Sequence, residues 1–327
     1  MRRFLIACSV LLALIAALAW WWPRHPMPFA GESLELSIEP GTSPRAVAQA
    51  VADAGVNVNP LLLYAWFRFS GDARQIRAGS YELEQGLTPQ RLLLKLVRGE
   101  EAMRSVILVE GWNWRQVRQM LARAENLKPD TAAMSDEQIM ERLGRAGTPP
   151  EGRFFPDTYT YSRGSSDLKV LERALHAMDR KLEAAWSQRA PDLPLASPTQ
   201  ALILASIVEK ETGKAADRTQ IAGVFVNRLR LGMMLQTDPT VIYGIGESFD
   251  GNLRRRHLQT DTPWNTYTRA GLPPTPIAMP GTASLMAAVQ PAQTKALYFV
   301  SRGDGSSHFS GSLDEHNRAV NKFQRGQ

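Results

Sequence analysis

A single apolar run near the N-terminus constrains this chain more than any other feature. Residues 4–22 are apolar apart from Ser9 and the only cysteine, Cys8. The length of this run matches the ~20 residues that a helix needs to cross a hydrocarbon core of ~30 Å. Arg2 and Arg3 precede the run and three tryptophans close it, which is the charge and aromatic pattern of a membrane span. The sequence therefore predicts a single-pass anchor in the inner membrane, with a cytoplasmic N-terminus and the remaining chain in the periplasm.

The alternative for this run is a cleaved signal peptide. The small residues 17–19, Ala-Leu-Ala, are typical of a cleavage site. The apolar stretch is longer than the ~7–15 residues of a signal core and continues into the tryptophans, which favours the anchor. Cys8 lies inside the run and has no partner for an intramolecular disulfide, and further apolar residues follow it, so a lipoprotein is disfavoured.

Composition and motifs exclude several classes of protein. The chain has 327 residues and a formal net charge of +6, to which Arg2, Arg3 and Arg24 contribute three positive charges. The small remaining excess is compatible with anionic lipid or an acidic cell-wall polymer, and no basic stripe indicates nucleic-acid binding. The five histidines show no metal-binding spacing, and no GxSxG or Gly-rich phosphate loop is present. We therefore expect no metal and no cofactor.

Three segments share one plan of strand, glycine turn and helix. The first has alternating Leu34, Leu36 and Ile38, then a turn, then Ser43 as helix N-cap. The plan recurs around Gly86 and Gly111, and the irregular spacing disfavours a solenoid. Small α+β modules fit better, and the aromatic-rich segment 60–71 reads as a helix that packs in the core.

The C-terminal third predicts a mainly helical domain. A Pro-rich connector, residues 189–198, precedes a capping box at Ser197 and a helix that runs to about Thr212, before Gly213. Asp217 with Gln220 predicts the start of a second helix, and Asp238 and Gly281 predict further starts, followed by a β-hairpin. The expected organisation is anchor 1–25, α+β module 26–104, second α+β module and connector 105–195, and C-terminal domain 196–327.

The stretch 203–213, ILASIVEKETG, ends in two acids. At ~100° per residue, Glu211 lies in line with Ile203 and Ile207, whereas Glu209 lies about 200° away. A carboxyl group on an apolar stripe is desolvated, which raises its pKa and suits it to protonate a glycosidic oxygen. The alternative is that Glu211 pairs with one of the nearby cations (Lys210, Lys214 or Arg218), and that Glu209 is solvated or structurally hydrogen-bonded.

Polar and aromatic residues at predicted turns provide candidates for ligand binding. These are Gln236, Thr237, Asp238, Asn265 and Tyr267. Amide groups and aromatic faces suit sugar binding, because amides hydrogen-bond hydroxyl groups and rings stack on sugar faces. Turn chemistry explains Asp238 and Asn265 equally well.

Several long motifs resemble the YceG-like family of endolytic murein transglycosylases. They are LASIVEKETG, GVFVNRLRLGMMLQTDPTVIYG, WNTYTRAGLPPTPIAMPG, LYFVSRGDGSSHFS and EGRFFPDTY. The resemblance covers nearly the whole chain. It implies an α+β protein with an N-terminal transmembrane helix, small LysM-like modules and a mainly helical lytic-transglycosylase catalytic domain with a β-hairpin.

The implied reaction cleaves the β-1,4 bond between N-acetylmuramic acid and N-acetylglucosamine in nascent peptidoglycan glycan strands. It leaves 1,6-anhydro-muramyl ends and limits strand length. The resemblance also implies penicillin-binding proteins and other cell-wall synthases as partners. Two alternatives stay open, a noncatalytic peptidoglycan-binding scaffold and a hydrolase that leaves reducing ends.

The resemblance also suggests roles for individual residues. An Ile-x-x-x-Glu-Ser pattern marks the catalytic helix of soluble lytic transglycosylases, and it aligns with Ile207 and Glu211 here, so Glu211 is the expected catalytic acid and base. The proposed substrate-binding residues are Gln236, Thr237, Asn265 and Tyr267, with Glu209 and Asp238 as possible supporting residues. Where the family often has Tyr-Asn-Thr-Tyr, this chain begins with Trp264, which keeps an aromatic ring in the subsite.

Overall fold

The computed structural model describes residues 2–211 and 214–326 and has a mixed helix and sheet fold. Short 3-10 turns and a π-helical turn near the C-terminus complete it. In chain order the elements are α1 (Arg2–Trp21), β1 (Ser33–Ile38), α2 (Pro44–Asp53), α3 (Pro60–Ser70), β2 (Gly79–Glu84), α4 (Pro89–Arg98), β3 (Met103–Ile107), α5 (Trp114–Arg123), α6 (Asp136–Arg142), β4 (Thr158–Ser162), α7 (Asp167–Ser187), α8 (Pro198–Glu211), α9 (Ala215–Arg230), α10 (Asp238–Ile245), α11 (Arg255–Gln259), α12 (Thr282–Val289), β5 (Tyr298–Ser301), β6 (Ser307–Ser310) and α13 (Leu313–Val320).

The chain divides into two compact units. The first contains residues 1–104 and 160–165, and the second contains residues 105–159 and 166–327. Strands β3 and β4 form a two-stranded sheet. The expected boundary after residue 104 coincides with this division, whereas the one after residue 195 lies inside the second unit. Both boundaries of the domain scheme stay predictions.

The first unit follows the strand, turn and helix plan. Strands β1 and β2 pair antiparallel, with Leu36 opposite Tyr81, and both side chains are buried. Ser43 caps α2 and Thr88 caps α4, each followed by proline at the first helical position. Helix α3 buries Leu63 and Phe67 in the same core. The predicted strands, the cap at Ser43 and the core helix of this unit are confirmed.

Helix α8 forms the centre of the second unit. It packs against α7, α9, α10 and α12, and residues 201–208 are all buried. A helix that is apolar and buried on every side lies inside a core instead of on its edge. Ile203 and Ile207 are buried, as the predicted stripe requires, but the other faces of the helix are buried too, so the stripe alone does not separate Glu211 from Glu209. The burial of this helix end follows from the elements around it.

The ends of the predicted helices show one further difference. Ser197 accepts from the N–H of Gln200, as the capping box predicts, while the predicted end at Thr212 and Gly213 lies outside the described residues. Asp217 does not open α9, which begins at Ala215. Its carboxylate instead accepts from the N–H of Ser307 at 2.6 Å, so it fastens the first turn of α9 to β6. The predicted hairpin of β5 and β6 is confirmed.

The N-terminal run forms α1, a helix of 20 residues. Across residues 2–211 and 214–326, no helix combines the length and the apolarity required to span a membrane.

Candidate active site

Glu211 is the last described residue of α8 and is partly buried. The hydroxyl of Thr237, which immediately precedes α10, donates to its Oε1. Burial is the main cause that raises the pKa of Glu211 to about 7, and the nearby Asp238 adds to it, while the Thr237 hydrogen bond and Arg228 oppose it. Near neutral pH this carboxyl group can both hold and release a proton.

Glu209 has a different environment although it lies two residues earlier. Its Oε2 accepts from the backbone N–H of Gly281, which precedes α12, at 2.9 Å. Arg218 of α9 lies 3.9 Å from its Oε1, and both side chains are largely buried. Arg218 is thus the neighbour of Glu209, and Lys210 donates to the carbonyl of Gly111 at 3.2 Å. Glu209 joins α8 to α9 and to the start of α12.

Thr237 is held by a buried group of threonines. Its backbone N–H donates to the hydroxyl of Thr266 at 3.1 Å. The hydroxyl of Thr240 donates to the Thr237 carbonyl at 2.7 Å and lies 2.9 Å from the Thr266 hydroxyl. These contacts fix the Thr237 hydroxyl against Glu211. Gln236, by contrast, is exposed beside it and adopts a positive φ of 51°.

Asn265 and Tyr267 serve different purposes in the structure. Asn265 is fully buried, and its amide N–H groups donate to the carbonyls of His257, Leu258 and Thr260, while its Oδ1 accepts from the Tyr267 N–H. Its polar atoms therefore hold the turn. The Tyr267 hydroxyl donates to Asp238 at 2.6 Å, which together with burial raises the pKa of the phenol. The charge of Asp238 raises the pKa of Glu211, and the charge of Glu211 raises the pKa of Tyr267, so the three groups lie near one another.

A second buried acid, Glu151, was missed by sequence reasoning. It is 5% exposed and follows Pro150 at the start of the motif EGRFFPDTY. The backbone N–H of Trp114 donates to both of its oxygens, at 3.0 and 3.1 Å, and the hydroxyl of Tyr243 donates to Oε2 at 2.9 Å. Burial raises the pKa of Glu151 to about 7 against these hydrogen bonds. Its acidity resembles that of Glu211, but its oxygens are already satisfied by the protein.

A cavity of about 850 Å³ lies between the start of α5 and α10. Lys210 and Pro239, the neighbours in sequence of Glu211 and Asp238, line one part of it. Its walls carry aromatic and charged side chains, namely Trp114, Tyr243, Phe249, Trp264, Arg115, Arg118, Asp136, Glu151 and Glu247. The volume and the mixed lining suit part of a large polar ligand.

In the parts of the chain that the structure describes, no group of three His, Cys, Asp or Glu side chains is placed to hold a metal ion.

Glu211 ends a buried helix, has a raised pKa and lies near a polar cleft, and these features suit general acid and base chemistry. The chain belongs to the YceG-like family, whose model matches residues 36–322.

Three proteins of known name are similar to this chain. An endolytic murein transglycosylase of Bacillus subtilis (strain 168) is 30% identical over 308 residues, which cover 89% of this chain and 85% of the relative. An endolytic murein transglycosylase of Streptococcus pneumoniae serotype 2 is 25% identical over 98% of this chain, which spans 65% of that relative's length. The crystal structure of a YceG-like protein from Listeria monocytogenes superposes with a TM-score of 0.56 at 27% identity, covering 88% of this chain and 99% of that one.

Proposed function

We propose that this protein is a lytic transglycosylase that cleaves peptidoglycan glycan strands at internal positions. The observation that carries the proposal is Glu211, a carboxyl group with a pKa of about 7 at the end of a buried helix. The names of the B. subtilis and S. pneumoniae relatives support the same activity.

In the proposed reaction, Glu211 serves twice. Its proton passes to the oxygen that links C1 of N-acetylmuramic acid to C4 of N-acetylglucosamine, and the C1–O bond breaks. The C6 hydroxyl oxygen of the same muramic acid residue then bonds to C1 and gives its proton to the Glu211 carboxylate. The products are a 1,6-anhydro-muramyl end and a free C4 hydroxyl, and Glu211 returns to its protonated form. A second carboxylate is therefore not required, in contrast to a hydrolase that activates water.

We place the glycan on the exposed edge beside Glu211. Gln236 and the partly exposed ring of Tyr267 are free to contact sugars there. Thr237 and Asn265 are 2% and 0% exposed, so their proposed part is to hold Glu211 and the turn instead of binding sugar directly. Asp238, bonded to Tyr267, keeps the ring in place. The neighbouring cavity would receive further parts of the strand.

The test is digestion of un-crosslinked glycan by the wild type, Glu211→Gln and Glu209→Gln, with products identified by mass spectrometry. We expect anhydro ends from the wild type, none above background from Glu211→Gln, and reduced amounts of the same product from Glu209→Gln. Undiminished anhydro product from Glu211→Gln would overturn the assignment. Reducing ends from the wild type would indicate a hydrolase, and binding without cleavage would indicate a noncatalytic scaffold.

We also propose the cellular setting that the sequence predicts. The apolar run 4–22 would anchor the protein in the inner membrane, with both units in the periplasm near penicillin-binding proteins and other cell-wall synthases. The first unit would act as LysM-like modules that hold glycan. Removal of residues 1–25 should move the protein from the membrane fraction to the soluble fraction, and retention in the membrane fraction would contradict the anchor.

A further inference from the structure

Glu151 and Tyr243 form a link between helices that the proposed reaction does not use. The N-terminal N–H groups of a helix lack partners within the helix, and an anion there is favoured by the helix dipole. At the start of α5, the Asn113 side chain accepts a hydrogen bond from the N–H of Gln116. The N–H of Trp114 donates instead to the Glu151 carboxyl group. The other partner of the Glu151 carboxyl group is the hydroxyl of Tyr243 in α10.

The local sequence holds Glu151 firmly in this position. Gly152 has a positive φ of 76°, and a side chain there would collide with Pro276, so the backbone turns sharply just after Glu151. Phe154 then stacks on Trp114 with ring centroids 4.8 Å apart. The charge of Arg115 in α5 lowers the pKa of Glu151 and so favours its ionised form. The carboxyl group is thus fixed from both sides of the turn.

Tyr243 carries this restraint along α10. It lies five residues after Asp238, roughly 7 to 8 Å along the helix axis at ~1.5 Å per residue. Its ring packs edge-on against Trp264 at 5.4 Å. At the other end of the same short helix, Thr237 donates its hydroxyl hydrogen to Glu211. A rotation or slide of α10 would therefore move the Thr237 hydroxyl relative to the acid.

We propose that Glu151, acting through Tyr243, is a positioning residue that holds α10 so that Thr237 keeps its hydrogen bond to Glu211. The inference rests on the proposed function only for its kinetic effect. Because Thr237 donates to the charged form of Glu211, the hydrogen bond lowers the pKa of that acid, whereas burial and Asp238 raise it and Arg228 lowers it. Loosening of α10 should consequently raise the pKa of Glu211.

The test measures Glu211 itself in the full chain. Carbon-13 NMR of glutamate-labelled protein would follow the Glu211 carboxyl, assigned with Glu211→Gln, in the wild type, Tyr243→Phe and Thr237→Val. Tyr243→Phe keeps the ring and removes only the hydroxyl. We expect the pKa of Glu211 to rise by about half a unit or more in both variants, and the double variant to rise no further than Thr237→Val alone. In glycan cleavage, Tyr243→Phe should lower kcat by about 10-fold. The alkaline limb of the pH–activity profile should move to higher pH, because the pKa of Glu211 rises.

Tyr159→Phe is the matched control, because it also deletes one buried hydroxyl. That hydroxyl donates at 2.7 Å to the carbonyl of Phe155, which lies outside α10. It should leave the Glu211 titration as in the wild type. An unchanged titration in Tyr243→Phe, an equal shift in Tyr159→Phe, or additive shifts in the double variant would each overturn the inference. Failure of the wild type to cleave glycan would overturn the proposed function and leave the titration test of the link intact.

Discussion

Glu151 and Glu211 share a raised pKa of about 7 but differ in what surrounds them. Glu151 accepts from the N-terminus of α5 and from Tyr243, and it is 5% exposed in the wall of the cavity. Glu211 accepts from the single hydroxyl of Thr237 and is partly open. A raised pKa therefore does not by itself distinguish a catalytic acid from a structural one. Among the described residues, Glu151 accepts more hydrogen bonds than Glu211, and we propose that this leaves Glu211 the better placed of the two to meet a ligand.

Among the substitutions that test this difference between the two acids, the largest expected effect is the loss of activity in Glu211→Gln. Glu211→Gln keeps the shape of the side chain and can still accept from Thr237, but it has no proton to give to a glycosidic oxygen. We expect kcat to fall by about 10²- to 10⁴-fold. Steady-state cleavage of a defined glycan measures it, with circular dichroism to show that the fold is intact. A loss of less than about 10-fold would mean that another group supplies the proton.

Next in size is the effect of Glu151 on stability. Glu151→Ala leaves the Trp114 N–H and the Tyr243 hydroxyl without their partner and opens a cavity, so we expect a loss of about 3 kcal/mol of unfolding free energy. Glu151→Gln keeps an acceptor for Trp114 and should stay within about 1 kcal/mol. Glu183→Ala, on the exposed side of α7, is the control in urea unfolding. Equal losses for Glu151→Ala and Glu183→Ala would contradict the buried link.

The distance along the chain between interacting residues explains which features of this structure the sequence could predict. The caps at Ser43, Thr88 and Ser197 and the alternation in β1 depend on neighbours within a few residues, so local patterns reveal them. The Glu211 assignment combined helix geometry with the family motif and stays a prediction for the experiments above. The surroundings of the two acids could not be predicted, because Tyr243 lies 92 residues from Glu151 and Thr237 lies 26 from Glu211.

Asp217 shows the same limit in another way. The local pattern of an acid three residues before Gln220 is typical of a helix N-cap. In the folded chain the Ser307 N–H, 90 residues away, binds that acid, and the helix starts earlier. The Asp217 side chain thus binds a residue that is distant in sequence, although the local pattern predicted that it would cap the helix.

The pH dependence of stability should report both raised acids. From the ordinary glutamate pKa of 4.5 up to about 7, the folded chain keeps protons that the unfolded chain has released. Unfolding free energy should therefore fall as the pH rises through this window and level off above it. Each acid contributes on the order of 1 to 3 kcal/mol. Glu151→Gln and Glu211→Gln should each reduce the pH dependence of the unfolding free energy in this window. The double variant should remove almost all of it. Gln variants that keep the wild-type slope would contradict the raised values.

The smallest effect is expected for Glu209→Gln. The amide oxygen can still accept from the Gly281 N–H, and the lost attraction to Arg218 acts over 3.9 Å. We expect a stability change of about 1 kcal/mol and a kcat reduced by less than about 10-fold. Urea unfolding and glycan cleavage measure these, with Glu183→Gln as the exposed control. A loss of activity as large as that of Glu211→Gln would move the catalytic role to Glu209.

The most direct measurement of the central claim is the pH profile of kcat/KM for Glu151→Gln beside the wild type. This ratio reports the ionisation of the free enzyme's essential acid. If Glu211 is that acid, both proteins should lose activity as the pH rises, at about pH 7 in the wild type and at the same or a higher pH in Glu151→Gln, where a weaker link to Tyr243 raises the pKa of Glu211 further. Disappearance of this alkaline limb in Glu151→Gln would assign the acid to Glu151 and contradict the account.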